Sequence, residues 1–153
     1  MKGWASLALG TSGTAFFAAI RSEMSVALIA TPRADLKCHR KERWQEIERD
    51  PDLTNFDQVP LIDGHGVNIA AVFVRGTGLV ELRKDMFMAS DAPLISFLKS
   101  ADQQRFRFLL SDRSVSGMVT LSDVQKLPVY SVLFSLLNAV EMVLIGLDPK
   151  RLR

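Results

Sequence analysis

Short apolar runs separated by polar turns predict strands through the middle of the chain, and a longer apolar run predicts a helix near its end. The segment at residues 117–123 is the most informative, because an apolar strand around Met118 and Val119 ends in oxygen-bearing side chains. These side chains are Thr120, Ser122 and Asp123. Ser and Asp are favoured helix N-caps, so the strand is expected to turn directly into a helix at Ser122 or Asp123.

A strand that ends at such a corner can bind a ligand that carries hydroxyl groups. Thr120 and Asp123 are three residues apart, so both can hydrogen-bond to a sugar while the N-terminus of the helix faces an anion. A capped helix without any ligand produces the same residue pattern, and both interpretations stay open for these residues alone.

The chain also repeats the order strand, polar turn, strand. Placing Asp63 on Asp112 aligns the two strands of the first copy with those of the second. The residues that correspond in this register are Ala71 with Thr120 and Val74 with Asp123. The first copy therefore lacks both oxygen ligands, and only one of two pseudo-symmetric pockets is expected to be equipped for binding.

The composition fits one domain or two small intertwined repeats, because 48% of the 153 residues are hydrophobic and 24% are charged. The formal net charge of +2 gives no reason to expect a nucleic-acid partner. The single cysteine, Cys38, excludes an intrachain disulfide framework and fits a reducing cytoplasm.

Residues 1–20 superficially resemble a secretory signal, since small and apolar residues follow one lysine. Residues 10–14 interrupt this stretch with Gly, Ser and Thr, no small-x-small cleavage site follows, and Arg21 and Glu23 come soon after. We therefore expect residues 1–23 to be an N-terminal extension, flexible or helical, and not a secretion signal.

Residues 37–51 carry many charges of both signs, with Trp44 and Ile47 three positions apart. This pattern predicts a short solvent-exposed helix with a narrow apolar edge. A basic patch for phosphates is the alternative, but the interleaved acidic residues weaken its field. Its members would be Lys37, Arg40, Lys41 and Arg43.

Candidate catalytic and metal-binding groups are few. Cys38 and His39 are adjacent and would point to different faces of a helix, with His65 far along the chain, so no metal site is expected. The sequence Asp63-Gly64-His65-Gly66 is typical of a turn, and Gly76-Thr77-Gly78 lacks the lysine of a phosphate-binding loop. No nucleophile, base and orienting group can be assembled, so the sequence does not predict an enzyme.

Residues 129–147 form an apolar run about as long as a minimal membrane span. Asn138 and Glu141 fall inside it, and a charge at the bilayer centre costs about 3 kcal/mol, so a buried helix is expected instead. A helix with apolar residues on every face needs deep burial or a partner surface. We therefore expect a homodimer contact or a docking face for another domain.

These features together resemble a known family. The sequence G-h-V-T-x-S-D at residues 117–123, after an apolar strand and an Asp-containing turn, resembles the second half of a CBS (cystathionine beta-synthase) domain. Residues 87–94 and a helix predicted from Pro93 to Ala101 resemble its earlier parts. The sequence T-P-R-x-x-L at residues 31–36 resembles the start of a first CBS domain, so the resemblance covers the chain from Met24 onward.

The resemblance implies an α+β fold of tandem CBS repeats, in which short β-sheets with flanking helices pack with pseudo-two-fold symmetry. Residues 24–85 would form the first repeat, and residues 86–153 would form the second repeat with its apolar C-terminal helix. The first repeat is expected to be irregular and degenerate, because the charged segment ending at Pro51 replaces the usual leading helix.

The resemblance also implies a ligand site between the repeats, where many CBS pairs bind adenosine-containing ligands. In the family the Asp of this segment contacts ribose hydroxyls, and the Thr or Ser lies near ribose or phosphate. Apolar walls for the base, backbone groups for its edge and the Arg33 cation for phosphate would complete the site. The implied ligand-binding residues are Thr31, Pro32, Arg33, Gln58, Val59, Pro60, Thr120, Ser122 and Asp123.

The expected function is that of a regulatory CBS pair that binds an adenosine nucleotide and passes this state to an effector protein. AMP, ADP, ATP and S-adenosylmethionine are the candidate ligands, and no cofactor is required. We expect a cytoplasmic homodimer that binds neither nucleic acid nor a membrane. The alternative is a ligand-free dimerisation module that uses its apolar C-terminal helix for assembly.

Overall fold

The computed structural model describes residues 24–146, which form two four-stranded β-sheets with short helices around them. The strands are β1 (Thr31–Pro32), β2 (His39–Arg40), β3 (Gln58–Ile62), β4 (Ile69–Val74), β5 (Gly78–Glu81), β6 (Phe87–Ala89), β7 (Phe106–Ser111) and β8 (Ser114–Thr120). The α-helices are α1 (Leu94–Ser100) and α2 (Leu127–Gly146). The 3₁₀ segments are Val26–Leu28, Arg33–Asp35, Lys41–Arg49, Lys84–Met86 and Leu121–Gln125.

The two sheets share one pairing scheme. In the first sheet β2 is parallel to β3, β3 is antiparallel to β4, and β4 is antiparallel to β5. In the second sheet β6, β7, β8 and β1 repeat this order of parallel and antiparallel pairs. Both central hairpins carry a register shift at the corresponding place, after Leu61 and after Leu109. The chain is therefore a structural duplication, and the α+β class predicted from the sequence is confirmed.

The leading strands of the two repeats are exchanged between the sheets. β1 comes first in the chain but pairs with β8, placing Thr31 opposite Met118 and Pro32 opposite Gly117. β5 is its counterpart: it leads into β6 and yet pairs with β4 in the first sheet. The division of the chain into repeats at residues 24–85 and 86–153 stays a prediction.

Strand pairing corrects the alignment of the two copies. Gln58 faces Val74 at the open end of the first hairpin, and Phe106 faces Thr120 at the same point of the second. The counterpart of Thr120 is therefore Val74, and the prediction that assigned Ala71 to this place is wrong.

Most of the misalignment arises from hairpin loops of different length. Strand pairing puts Gln58 on Phe106, so placing Asp63 on Asp112 already misaligns the first strand by one residue. The loop at residues 63–68 is longer than the tight turn at residues 112–113, and this misaligns the second strand by two more residues. Asp112 has a positive φ of 54°, which fits a tight turn. Three residues beyond Val74, Thr77 takes the place of Asp123, and β5 follows it where the second copy has a 3₁₀ segment.

Buried apolar side chains cover both faces of the sheets. Val72, Phe108 and Met118 belong to a cluster between the two sheets. The 3₁₀ segment Lys41–Arg49 packs Ile47 against the outer face of the first sheet. The outer face of the second sheet is formed by alternate residues of β7 and β8. It is covered by Val26, α1 and the start of α2. The predicted helix from Pro93 to Ala101 is confirmed as α1, and the charged segment is helical as predicted, with a break at Arg43.

Helix α2 is less buried than the sequence predicts. Val129 and Val132 face the core, but the side chains of Tyr130, Phe134 and Leu137 are more than half exposed. The expectation of a buried helix is therefore wrong for this chain by itself, because only one side of α2 meets the second sheet and α1. The predictions made for residues 1–23 and for the end of the chain after Gly146 lie outside the described residues.

Candidate functional site

The corner after β8 is built by Thr120 and Asp123. Thr120 is the N-cap of the 3₁₀ segment Leu121–Gln125, and its backbone N–H donates to Oδ2 of Asp123 over 2.6 Å. The Thr120 hydroxyl donates to the same oxygen over 3.0 Å and lies 2.7 Å from the Ser122 hydroxyl. The cap is therefore Thr120, not Ser122 or Asp123 as the sequence predicts, and α2 begins only at Leu127.

Asp123 is a buried carboxylate whose charge is compensated. The residue is 7% exposed, and Nζ of Lys126 lies 2.8 Å from its Oδ1. Lys126 also donates to the backbone carbonyl of Ile29. Buried charges are retained when they are paired and hydrogen-bonded, which is the situation here. The carboxylate is therefore fixed in orientation, and its oxygens keep capacity for further hydrogen bonds.

A cleft of about 360 Å³ opens beside this corner. Its walls come from the segment that begins with β1, from the loop and first residues of β3, and from the corner itself. The residues that line it are Thr31, Asp35, Leu36, Lys37, Asn55, Phe56, Asp57, Gln58, Pro60, Met118, Thr120, Ser122 and Asp123. The volume and the mixture of apolar and polar walls are typical of small-molecule sites.

Six of the nine residues predicted for the site line this cleft, and their role in binding stays a prediction. They are Thr31, Gln58, Pro60, Thr120, Ser122 and Asp123. The other three do not line it. Val59 is fully buried in the core of the first sheet, and Pro32 lines a separate shallow depression near Ala27, because successive strand residues point to opposite faces. Arg33 donates through Nη1 to Sγ of Cys38 over 3.3 Å.

Two cleft walls are absent from the sequence prediction. Asp35 and Lys37 follow β1, and the loop at residues 55–57 precedes β3. An Asn and an Asp before an apolar strand indicate a turn, but no local pattern tells which surface the turn covers.

Arg75 fixes the loop at residues 55–57. Its Nη2 donates to the carbonyl of Leu53 over 3.1 Å and to that of Phe56 over 3.2 Å. Its backbone N–H donates to the carbonyl of Asp57 over 2.8 Å. A residue from the end of β4 therefore positions a cleft wall that lies far from it in sequence.

Neither a protein-family model nor a curated protein matches this sequence. Among solved structures, the CBS domain of a bacterial CNNM/CorC family Mg²⁺ transporter has a TM-score of 0.53 and 16% identity, covering 80% of this chain and 87% of that one. A CBS domain pair in complex with 5′-methylthioadenosine and S-adenosyl-L-methionine has a TM-score of 0.51 and 13% identity, covering 66% of this chain and 96% of that one. This chain has the fold of a tandem CBS domain pair. The transporter domain in complex with ATP has a TM-score of 0.53 and 17% identity, covering 73% of this chain and 92% of that one.

In this CBS pair the pseudo-symmetric counterpart of the cleft carries aromatic side chains in place of two of the cleft residues. The strand pairing places Phe106 where Gln58 stands and Phe108 where Pro60 stands. Both phenylalanines are buried, with ring centroids 5.7 Å apart in an edge-on arrangement, and Phe87 packs 5.9 Å from Phe108. Within the described residues the equipped corner is thus found once, although the counterparts differ from those predicted.

Asp63 has a structural role in the loop after β3. Oδ1 of Asp63 accepts from the backbone N–H of Val67 over 3.2 Å, and Oδ2 accepts from the Asn68 amide over 3.2 Å. Desolvation raises the pKa of Asp63, but these hydrogen bonds outweigh it and the net effect is a lowered pKa. The predicted turn at residues 63–66 is confirmed by this loop between β3 and β4.

Within residues 24–146, no group of three His, Cys, Asp or Glu side chains is arranged to hold a metal ion. None of the helices there has the length and apolar character needed to cross a membrane.

Proposed function

We propose that this CBS pair is a regulatory module that binds an adenosine-containing ligand in the cleft at Asp123. The observation that carries the proposal is the buried Asp123 carboxylate, which Thr120 and Lys126 orient at the wall of the cleft. A nucleoside needs acceptors for its ribose hydroxyls and an apolar slot for its base, and the cleft offers both.

The sugar and the base would bind at different ends. Asp123 would accept hydrogen bonds from the ribose hydroxyls, beside the hydroxyls of Thr120 and Ser122. The apolar surfaces available for the base are those of Leu36, Phe56, Pro60 and Met118. The Gln58 amide can both donate and accept at the edge of the base.

Similar structures support an adenosine compound as the ligand class. One CBS domain of this fold was determined in complex with ATP, and one CBS pair in complex with 5′-methylthioadenosine and S-adenosyl-L-methionine. For this protein we propose a regulatory role, in which Asp123 and Thr120 fix the corner through the hydrogen bonds between them.

Binding would be transmitted through the strands that carry the site. Thr31 lies on β1 and Thr120 at the end of β8, and these strands pair with each other. α2 follows the same corner directly, so a ligand that pulls β1 and the corner together would also bias α2 and an effector protein docked on it. We propose a cytoplasmic location, where the free thiol of Cys38 would remain reduced.

Thermal unfolding with AMP, ADP, ATP, S-adenosylmethionine and NAD tests the proposal. A ligand at a hundred times its Kd should add about 2.7 kcal/mol to the free energy of unfolding, a shift of roughly 5 to 10 °C. Asp123→Asn should lose this shift. Thr77→Ala, at the counterpart position of the first repeat, is the matched control and should keep it. No shift with any compound, and nothing co-purified, would remove the adenosine proposal.

A ligand-free dimerisation module is the second candidate, and α2 is the observation that favours it. Its exposed large apolar side chains are Leu127, Tyr130, Leu133, Phe134, Leu137 and Val140. A second copy is the partner we propose, because Glu141 is the one charged residue in the sequence of α2 and two such faces could pack with little charge buried. Light scattering after gel filtration should find a wild-type dimer and a Phe134→Glu monomer. A monomeric wild type would contradict the dimerisation proposal.

A further inference from the structure

The charged residues around the cleft restrict which adenosine compounds it can bind. This inference rests on the proposed adenosine site. Asp35, Asp57 and Asp123 line the cleft together with Lys37. Lys126 neutralises Asp123 from 2.8 Å away. Within residues 24–146 neither Asp35 nor Asp57 forms an ion pair. Once the Asp123–Lys126 pair is set aside, two carboxylates and one ammonium group remain at the walls.

Among the cleft residues, a phosphate group would find one cation that forms no ion pair within residues 24–146, Lys37. Arg33, which the family resemblance assigns to phosphate, does not line the cleft, and its Nη1 donates to Cys38. Lys126 is engaged by Asp123 and by the carbonyl of Ile29. The backbone N–H of Thr120 donates to the Asp123 carboxylate over 2.6 Å. The protein's own carboxylate therefore takes up one of the backbone donors of this corner.

A metal site is not preformed in the described part of the chain. No three acidic, His or Cys side chains within residues 24–146 are grouped to hold a metal ion. Because Mg²⁺ is commonly held by one or two carboxylates together with the phosphates of a nucleotide, ATP has to be tested both with and without Mg²⁺.

We infer that the cleft selects unphosphorylated adenosine derivatives, whose 5′ substituent is neutral or positively charged, over adenosine 5′-phosphates. A phosphate bound anywhere in a cleft of about 360 Å³ would be exposed to the charges of Asp35 and Asp57, and like charges repel each other in a partly enclosed site. A 5′-thioether carries no charge, and a sulfonium group would be attracted by the same carboxylates. The amphipathic cleft thus fits a nucleoside or a sulfonium nucleoside.

Isothermal titration at low salt tests the charge preference with a matched panel. The panel contains adenosine, AMP, ATP with and without Mg²⁺, S-adenosylmethionine, and S-adenosylhomocysteine, which lacks the sulfonium charge. Adenosine should bind at least about tenfold more tightly than AMP, and S-adenosylmethionine more tightly than S-adenosylhomocysteine. Both differences should shrink at high salt, because mobile ions screen exposed charges.

The double variant Asp35→Asn/Asp57→Asn tests whether these two carboxylates cause the preference for adenosine over AMP. Its affinity for AMP should rise relative to its affinity for adenosine, so the ratio of the two dissociation constants is the quantity to compare with wild type. If AMP, ATP or Mg²⁺-ATP binds as tightly as adenosine, the inference is wrong, but the proposed adenosine site remains. The same holds if the ratio of AMP affinity to adenosine affinity is unchanged in the variant. If no compound of the panel binds, the proposed function fails and this inference fails with it.

Discussion

Asp123 and Thr120 lock the corner at the end of β8, because both the backbone N–H and the hydroxyl of Thr120 donate to one oxygen of Asp123. The other oxygen pairs with Lys126, which also donates to the carbonyl of Ile29 ahead of β1. One side chain thus joins the strand end, the 3₁₀ segment after it and the segment that leads into the cleft.

Asp123→Ala should lower the free energy of unfolding by about 2 to 3 kcal/mol, which exceeds the roughly 1 kcal/mol of a lost helix cap. The variant leaves the Thr120 N–H and the Lys126 ammonium group without their acceptor. Urea unfolding followed by circular dichroism measures the loss. Asp102→Ala removes an exposed carboxylate and should stay within about 0.5 kcal/mol of wild type. A loss in Asp123→Ala no larger than a cap's would contradict the coupled role.

Gly117→Ala should displace β1 from β8. A Cβ atom at Gly117 would lie 2.6 Å from the backbone oxygen of Thr31, which is too close for any side chain. Strain of this kind costs about 1 to 3 kcal/mol, and the shift of Thr31 should also weaken ligand binding. In Gly64→Ala the nearest atom would be 3.7 Å away, so this control should unfold and bind like wild type. Equal behaviour of the two variants would count against the pairing of β1 with β8.

Phe108→Ala should destabilise the fold by about 3 to 5 kcal/mol, because it opens a cavity in the core between the sheets. Phe134→Ala removes an equally large side chain that is 65% exposed on α2 and should change the stability of the monomer by less than about 0.5 kcal/mol. Their stabilities can be compared by thermal unfolding of both variants at low protein concentration. A Phe134→Ala loss that matches Phe108→Ala would show that α2 is covered even in a single copy.

Arg75→Lys should loosen the cleft wall at residues 55–57. Lysine keeps the charge but cannot reproduce the guanidinium contacts to Leu53 and Phe56, and the stacking 5.9 Å above the Phe73 ring would be lost. We expect a loss of about 1 to 2 kcal/mol in unfolding free energy together with weaker ligand binding. Arg43→Lys, in an exposed pair with Glu46, should be nearly neutral in both measurements. Identical results for the two variants would exclude a positioning role.

Cys38 should react slowly with iodoacetamide at about pH 8. Burial raises the pKa of its thiol, and the charge and hydrogen bond of Arg33 offset part of this rise. The folded state therefore holds the proton more tightly than the unfolded chain. The stability it contributes is complete below the unfolded pKa and is lost as pH rises through the folded pKa. Mass spectrometry across a pH series should find slower alkylation in Arg33→Gln than in wild type, and faster alkylation would refute the assignment.

The sequence predicts the corner at Thr120 and Asp123 well because the strand end, the cap and the carboxylate lie within four consecutive residues. The contact of Thr31 with this corner could not be predicted in the same way, because no periodicity in the sequence brings together segments that lie so far apart. That part of the site followed from the resemblance to CBS domains, whose segments occur here in order.

The sequence prediction misplaced several site residues for geometric reasons. Pro32 and Val59 neighbour cleft residues in sequence but lie on the opposite faces of their strands. The wall at residues 55–57 depends on Arg75, a contact across the chain that leaves no local pattern. The exposure of α2 depends on how much surface the other helices and strands cover, which hydrophobicity along the chain does not tell.

The exchange of leading strands has a consequence for the order in which the molecule can be assembled. Thr31 is made well before its partner Met118, and this pair spans more of the chain than the other strand pairs of the described residues. Contacts of such long range form late and slow down folding. The cleft beside Asp123, which needs both strands, is therefore among the last parts of the two described sheets that can be completed.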